Sequence, residues 1–353
     1  MNLIERGVYL GMPHDDYLAE QSLSTSGIKA LLASPLTYWA RFFGPDREDH
    51  ATPAKELGKA IHKMILEGKG AFFNEYMVVP KIEDFPGCLQ GGKALQDQCG
   101  RLGLKKSGTL EEMADRILDV DPDTVLWPVI MRNFDTMVAK NRKQVVKNEV
   151  VDQCERILKA VEANKAVRDA FTAGIPEVSV FWTSDAGIPM KARFDYLKPQ
   201  AIVDLKSFSN SMDAPIDEAI AKAVINRMYH LQALVYMDAF SQAKNLIRDG
   251  LLFGEGVEPL RASLDSFAQS KRQPQMFFVF VETGPATNVV IREIKASTQM
   301  SRSVLWDTAQ KKVKRAMETW HAFMGTLGPD QPWYDCQPAR AFFDEEFPLY
   351  GME

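Results

Sequence analysis

The sequence has 353 residues, of which 46% are hydrophobic and 25% are charged, and its formal net charge is −5. This composition is ordinary for a globular protein, and the length allows one elaborated domain or two. No apolar run reaches the length of a membrane span and no basic-then-apolar signal segment opens the chain, so we expect a cytoplasmic protein. The small negative charge does not point to a generic polyanion binder, but clustered basic residues are still able to bind nucleic acid.

Four cysteines are spread along the chain, at Cys88, Cys99, Cys154 and Cys336. They form no C-x-x-C pair, the spacing typical of zinc sites and iron–sulfur clusters. We therefore expect free thiols in a reducing compartment.

The first part of the chain predicts helices. Residues 1–20 have an irregular pattern with a turn at residues 13–16. The stretch LSTSGIKALLASPLTYWARFF then predicts two helices, one capped within residues 24–26 and one that begins at Pro35.

A third helix is predicted over ELGKAIHKMILEG, where Leu57, Ile61 and Met64 recur at helical spacing. His62 lies beside this apolar stripe, where a lone histidine is more often a structural group than a ligand. Gly58, one turn earlier, leaves space that suits a ligand or a close backbone. Both interpretations of His62 stay open at this point.

Residues 81–125 change character and predict a helical insertion. A helix, the loop GLKKSG and a second helix follow one another, and Thr109 with Glu112 forms a capping box for the second helix. This order resembles the small SAP-type DNA-binding module; the alternative is a helical hairpin that packs against the main domain. We divide the chain into an N-terminal helical part of the main domain, the insertion, the core and a C-terminal tail, at residues 1–80, 81–125, 126–330 and 331–353.

An antiparallel β-meander is predicted between residues 177 and 207. Its runs EVSVFW, KARFDYL and AIVDLKS are rich in β-branched and aromatic residues, and turn-like residues 184–187 and 198–200 separate them.

Further elements surround the meander. Helices are predicted over residues 125–170 and 214–247, and two more strands flank a turn at residues 283–285. One long helix from Gln299 to Gly325 closes the chain before an aromatic tail, which we expect to pack against the body or a neighbouring subunit.

Acidic residues lie on the strands of the meander. Asp204 and Lys206 are two residues apart and therefore project from the same face, while Val203 and Leu205 point into a core. Pairing across the turn would bring Asp195 beside Asp204. Two converging carboxylates repel each other unless a cation lies between them, and oxygen ligands suit Mg²⁺ or Mn²⁺.

A lysine beside such an ion is the arrangement of metal-dependent phosphodiester hydrolysis. Glu177, on the strand before, supports this interpretation. The alternative is that Asp204 and Lys206 are only a solvated pair, since D-x-K is a short pattern.

On the helix after the meander, Gln232 and Tyr236 stand at i and i+4 and share a face. Next to a metal site they could hold a phosphate or the cleaved strand. The alternative is an ordinary, partly buried pair.

Taken together, five blocks resemble the exonuclease VIII (RecE-type) branch of the PD-(D/E)xK nucleases. They occur in the expected order between residues 20 and 240: LSTSGIKALLASPLTYWA, LGKAIHKMILEG, EVSVFWTSDAGIPMKARFDYL, AIVDLKS and YHLQALVYMDA. The resemblance implies an α/β core in which helices flank a mixed central sheet. The insertion is not part of the family's core pattern.

The resemblance also implies roles for single residues. It implies that Asp195 and Asp204 bind the metal, that Lys206 is the catalytic lysine and that Glu177 completes the acidic set. His62 would be the histidine beside the metal. Gln232 and Tyr236 would contact the DNA near the cleaved phosphate.

Family members of this kind are Mg²⁺-dependent exonucleases, with Mn²⁺ able to substitute, that degrade the 5′-ended strand of duplex DNA. The resemblance implies a ring-shaped homo-oligomer and a single-strand annealing protein as a partner in phage-type recombination. The alternatives are a Cas4- or RecB-like structure-specific nuclease and a non-cleaving recombination scaffold that keeps the fold.

Overall fold

The computed structural model describes residues 4–45, 52–271, 273–297 and 301–336. A mixed seven-stranded sheet runs through the protein in the order β7-β1-β4-β5-β6-β8-β9, and β2 and β3 form a separate two-stranded sheet. The strands are β1 (Gly7–Tyr9), β2 (Tyr76–Val78), β3 (Gln144–Val146), β4 (Ile175–Thr183), β5 (Pro189–Lys198), β6 (Ala201–Phe208), β7 (Leu252–Phe253), β8 (Gln275–Glu282) and β9 (Val289–Glu293).

The helices are α1 (His14–Ala19), α2 (Thr25–Ala33), α3 (Pro35–Phe42), α4 (Pro53–His62), α5 (Gly68–Glu75), α6 (Gly91–Arg101), α7 (Leu110–Leu118), α8 (Trp127–Asn141), α9 (Asn148–Ala163), α10 (Lys165–Ala170), α11 (Ile216–Asn226), α12 (Tyr229–Arg248), α13 (Val257–Gln269) and α14 (Val304–Thr326). A π-helical turn, Lys63–Glu67, continues α4, and a short 3₁₀ turn covers Ile82–Asp84. Within the described residues, no helix is both long and apolar enough to span a membrane.

The predicted meander is confirmed. Strands β4, β5 and β6 pair antiparallel in sequence order, and the turns between them fall where the sequence predicts them. Beyond the meander, β6 pairs in parallel with β8, and β8 forms an antiparallel hairpin with β9. The parallel step needs a crossover, which α11, α12 and α13 provide.

Both faces of the sheet are covered, which confirms the predicted α/β class. Alternation along β8 sends Phe278 and Phe280 into a core shared with α2, α3, α12, α13 and α14. Val279 and Val281 enter a second core, which is shared with α4 and α9. Val203 and Leu205 of β6 lie in the same core, which confirms the prediction that they point into a core.

Three local predictions were wrong, and the first is the helical stretch over residues 125–170, which the strand β3 interrupts. Residues 1–20 are not irregular throughout, since they contain β1 and α1. The helix predicted over ELGKAIHKMILEG is regular only to His62 and then widens into the π-helical turn. Short β1 has no strand signal of its own because it is held by neighbours distant in sequence, with Val8 N donating to Leu251 O at 2.9 Å.

The end of the chain is described only in part. Trp333 is buried and its ring stacks on those of Tyr38 and Phe323, at 5.2 and 5.6 Å between centroids, so this part of the tail packs against the body. The rest of the aromatic tail, and the predicted start of the closing helix at Gln299, lie outside the described residues.

The insertion has a small core of its own, built from Leu95, Met113, Ile117 and their neighbours. Both hydrogen bonds of the predicted capping box form, between Thr109 and Glu112, at 2.9 and 3.1 Å. The two ends of the insertion are joined by backbone hydrogen bonds, from Leu89 N to Val125 O (2.9 Å) and from Trp127 N to Leu89 O (3.0 Å). Its likeness to a SAP-type module stays a prediction.

Lys191 of β5 fixes the N-terminal segment to the sheet. Its ammonium donates to Tyr17 O at 2.7 Å and to Glu20 O at 2.5 Å, and the residue is only 3% exposed. Burial lowers the pKa of Lys191 to about 8, against a smaller opposing effect of Glu20.

Replacing Lys191 by methionine should destabilise the protein by about 1–3 kcal/mol, because two buried carbonyls lose their donor. The pKa of Lys191 is about 8 in the folded protein and 10.5 in the unfolded chain. Between these two pH values the unfolded chain binds one more proton than the folded protein, so the free energy of unfolding of the wild type rises with pH, by about 1 kcal/mol per pH unit. The gap between wild type and Lys191→Met should therefore widen with pH. Urea unfolding between pH 7 and pH 10 measures both effects, and Lys165→Met, at an exposed ion pair with Asp169, is the control. Parallel pH profiles for wild type and Lys191→Met would contradict this account.

The joined ends of the insertion predict that it can be removed. Replacing residues 91–124 by a short Gly-Ser linker, with the newly exposed Leu126 changed to Thr, should leave one cooperative thermal transition with the Tm within about 5 °C of the wild type. Circular dichroism melting measures this. Loss of cooperativity would show that the hairpin belongs to the main core.

Candidate metal centre

The candidate site lies where two neighbouring strands part. β5 and β6 pair at Tyr196–Val203, Leu197–Ile202 and Lys198–Ala201, and no further. The next residues along this register are Asp195 and Asp204. Asp195 Oδ2 accepts a hydrogen bond from Leu205 N at 2.8 Å, so a side chain takes the place of the missing backbone partner.

Glu177 is held in an unusual backbone conformation. It lies on β4 between the paired residues Pro176 and Val178, opposite Asp195, but its φ is +54°. The left-handed region costs a non-glycine residue on the order of 1–3 kcal/mol and persists only where the surroundings enforce it. Arg193 Nε lies 2.8 Å from Glu177 Oε2 and holds the carboxylate in place.

His62 reaches the site from the last residue of α4, directly before the π-helical turn. Such turns are rare and are found frequently at functional sites. His62 Nδ1 lies 3.5 Å from Asp195 Oδ2. A Cβ atom added to Gly58 would meet only Ser207 Oγ, at an ordinary contact distance of 3.5 Å, so the space predicted beside this glycine is present.

Three of these side chains converge. One potential ligand atom from each of His62, Glu177 and Asp195 lies within 4.8 Å of the others. This set fits a hard divalent cation, because two carboxylates and an imidazole meet and all three side chains are partly exposed.

The electrostatics of the three residues support the same fit. Burial, followed by the charge of Asp195, raises the pKa of Glu177 to about 7, and burial also raises the pKa of Asp195. Burial, followed by the charge of Lys206, lowers the pKa of His62 to about 4, which leaves the neutral, ligating imidazole at pH 7. A cation between the two carboxylates would relieve their repulsion.

Asp204 and Lys206 form the adjoining part of the site. Asp204 is fully buried, and its Oδ2 lies 2.5 Å from Lys206 Nζ. Burial and then Asp195 raise the pKa of Asp204 to about 6. Burial alone would lower the pKa of Lys206, but Asp204 and Asp195 outweigh it and raise that pKa, so the lysine stays charged.

The converging set differs from the predicted metal ligands His62, Asp195 and Asp204. Glu177 takes the third place, and Asp204 lies outside the set among the described residues. Both oxygens of Asp204 are engaged, one by Lys206 and the other, Oδ1, by Gln232 Nε2 at 2.6 Å. A direct metal bond to Asp204 stays a prediction.

Gln232 and Tyr236 share a face of α12, as predicted. Gln232 is 7% exposed and its amide is directed at Asp204. Tyr236 packs edge-on against Phe194, with 5.5 Å between ring centroids, and burial raises its pKa well above the usual value. Gln232 thus supports Asp204, Tyr236 is hydrogen-bonded to Gln232, and the predicted contact of both residues with DNA stays a prediction.

Arg193 was missed by the sequence reasoning. It precedes Asp195 by two residues on β5, so strand alternation alone places both side chains on one face. The left-handed conformation of Glu177, in contrast, has no signal in the sequence.

The chain is similar in sequence to a known protein family. The profile of the family described as "PDDEXK-like domain of unknown function (DUF3799)" matches residues 24–253. A crystal structure of a candidate exonuclease from Eubacterium rectale superposes with a TM-score of 0.46 at 13% sequence identity, over 90% of this chain and 88% of that chain. No curated protein sequence matches the chain. Since the family match spans well over half of the chain and includes every residue of the site, the chain belongs to the PDDEXK-like domain family DUF3799, within the PD-(D/E)xK nuclease superfamily.

Proposed function

We propose that the chain is a Mg²⁺-dependent exonuclease that degrades the 5′-ended strand of duplex DNA and leaves 3′ overhangs. Membership of the PD-(D/E)xK superfamily, whose nucleases generally use divalent metal ions, supports a nuclease. The resemblance of the five sequence blocks to the exonuclease VIII type supports the choice of exonuclease and its direction.

One observation carries the proposal. The ligand set of His62, Glu177 and Asp195 lies where β5 and β6 part, with Asp195 on β5 and the charged Lys206 on β6. When bound, a divalent ion supplies a nucleophilic water of lowered pKa and polarises the phosphate. Arg193 holds Glu177, and the hydrogen bond from Leu205 N holds Asp195, so these two ligand side chains are in place before the substrate binds.

Lys206 has the role of a fixed positive charge. Because Asp204 raises its pKa, it is protonated at neutral pH and does not serve as a general base in this state. It is placed to orient the attacking water and to stabilise the negative charge that develops on the phosphate, and preorganised charge of this kind gives a large share of catalysis. Asp204, which accepts a hydrogen bond from Gln232, keeps the ammonium in position.

The proposed biological setting follows from the resemblance alone. It includes a ring-shaped homo-oligomer through which DNA passes, and a single-strand annealing protein that takes up the 3′ overhang. In such a ring, basic side chains would line the channel while acidic ones face outward, which reconciles a net charge of −5 with DNA binding.

A divalent cation should stabilise the protein in the absence of DNA. Mn²⁺ or Ca²⁺ at 100 times its Kd should add about 2.7 kcal/mol of stability, seen as a rise in Tm. Asp195→Asn should abolish this rise while the metal-free variant melts no lower than the wild type, because one of two repelling buried carboxylates is neutralised. Asp185→Asn, at the exposed β4–β5 turn, is the matched control and should keep the rise.

The same measurement has a predicted pH dependence. Protons compete with the cation for Glu177, whose pKa is about 7, so the metal-induced rise in Tm should increase from pH 6 to pH 8. An unchanged Tm with either cation at pH 8 would contradict the metal site.

Cleavage should be tested on linear duplex DNA labelled at the 5′ or the 3′ end, with Mg²⁺ or with EDTA. We expect early release of the 5′ label with Mg²⁺ only, and a loss of at least about 100-fold in rate for Lys206→Gln. Lys159→Gln, on the exposed side of α9, is the control and should cleave normally.

Other results would each point elsewhere. Early release of the 3′ label would reverse the proposed direction, and nicking of closed circular DNA would indicate a structure-specific nuclease. Intact DNA under every metal condition, with a gel shift retained, would indicate a non-cleaving scaffold.

A further inference from the structure

A second group of positive charges lies beside the proposed centre. Lys29 of α2 and Lys206 of β6 both contact the ring of Tyr229, with their ammonium groups 5.4 and 5.2 Å from its centroid. The ring itself is stacked on Phe278 at 5.6 Å and 23°. Arg227, two residues before Tyr229, is exposed and acts electrostatically on Lys29.

Among the described residues, only part of this positive charge has a counterion in the protein. Lys206 has its own counterion in Asp204, at 2.5 Å. Lys29 forms no ion pair among the described residues, and only the more distant Asp204 favours its charged form. Burial, followed by repulsion from Lys206, lowers the pKa of Lys29 to about 8. Like charges held together in a half-buried position destabilise the free protein and favour an anion from outside.

The backbone around this group is fixed. Met228, which links Arg227 to Tyr229, has a φ of +51°, a conformation that persists only where packing enforces it. On the other side, a Cβ atom on Gly27 would lie 2.9 Å from Leu23 Cδ1 and 3.0 Å from Tyr38 Cε2, so α2 is tightly seated two residues from Lys29. The positive charges therefore belong to rigid elements and not to a mobile surface.

We propose that Lys29, Arg227 and Tyr229 form an anion subsite that binds a backbone phosphate of the DNA strand, next to the phosphate that Lys206 meets. This inference rests on the proposed function, because it takes the ligand to be the strand that enters the metal centre. The subsite would position the strand by charge and would be indifferent to base sequence.

The test measures binding without cleavage. Fluorescence anisotropy with a labelled duplex in EDTA, at several NaCl concentrations, gives the affinity and its salt dependence. For Lys29→Gln we expect a Kd about 10-fold higher at low salt and a slope of log Kd against log salt that is smaller by about 1, as for one lost phosphate contact. Lys29→Arg keeps the charge and should restore most of both. Lys159→Gln removes an equal charge from exposed α9 and should leave both quantities unchanged.

Thermal stability separates this role from a structural one. Because Lys29 is an uncompensated, half-buried charge, Lys29→Gln should melt at or above the wild-type Tm while it binds DNA more weakly. A lowered Tm with weak binding in both Lys29→Gln and Lys29→Arg would indicate a structural lysine and overturn the proposal.

The outcomes also distinguish the subsite from the proposed function. Wild-type protein that binds duplex normally, with Lys29→Gln unchanged in Kd and salt slope, would overturn the subsite alone. Wild-type protein that binds no duplex would contradict the proposed function and the subsite with it. If millimolar inorganic phosphate weakens duplex binding by the wild type but not by Lys29→Gln, the result would support an anion site at Lys29. If phosphate binding depends on Lys29 but Lys29→Gln binds the duplex as tightly as the wild type, the ligand would be free phosphate and not the DNA backbone.

Discussion

The parting of β5 and β6 is the constraint on which the site depends. After three paired residues the two strands separate, and each continues with its other neighbour, β5 with β4 and β6 with β8. A backbone N–H left without a partner in such a gap is costly, and Asp195 satisfies the one at Leu205. The carboxylate that does so is thereby fixed in orientation and directed towards His62 and Glu177.

One face of β5 carries both residues that stabilise the structure and a residue of the candidate metal centre. Lys191, Arg193 and Asp195 alternate along the strand and therefore point to the same side. Lys191 binds the backbone carbonyls of residues 17 and 20, and Arg193 holds the carboxylate of Glu177. Asp195 is itself a candidate metal ligand. The N-terminal segment and the metal centre are thus parts of one polar layer.

Much of the fold could be predicted because its signals are local. The meander has turn residues at both bends, the caps at Ser24 and Thr109 form where the sequence predicts them, and α3 begins at Pro35 as predicted. Asp195 could be placed beside Asp204 because an antiparallel hairpin fixes its own register. Short β1 and β7 could not be found, since their pairing depends on residues far away in the sequence.

The details of the site were harder to predict for the same reason. The left-handed conformation of Glu177 and the π-helical turn after His62 are imposed by packing and leave no pattern in the residue types. The engagement of Asp204 by Gln232 joins a strand to a helix 28 residues later, which spacing alone does not specify. The sequence showed that the site contains several carboxylates. It did not show which of them converge as metal ligands, as Glu177 and Asp195 do, and which supports its neighbours, as Asp204 does.

The joined ends of the insertion also bear on how the protein folds. β2 and β3 form a parallel pair, Tyr76–Gln144 to Val78–Val146, with the whole insertion between them in sequence. Closing so long a loop loses chain entropy, and pairings of high sequence separation form slowly. Because the insertion has its own core and its ends meet at Leu89, its prior folding would shorten the loop that remains to be closed. A segment that looks like an addition to the fold thus brings two distant parts of the chain within reach of each other.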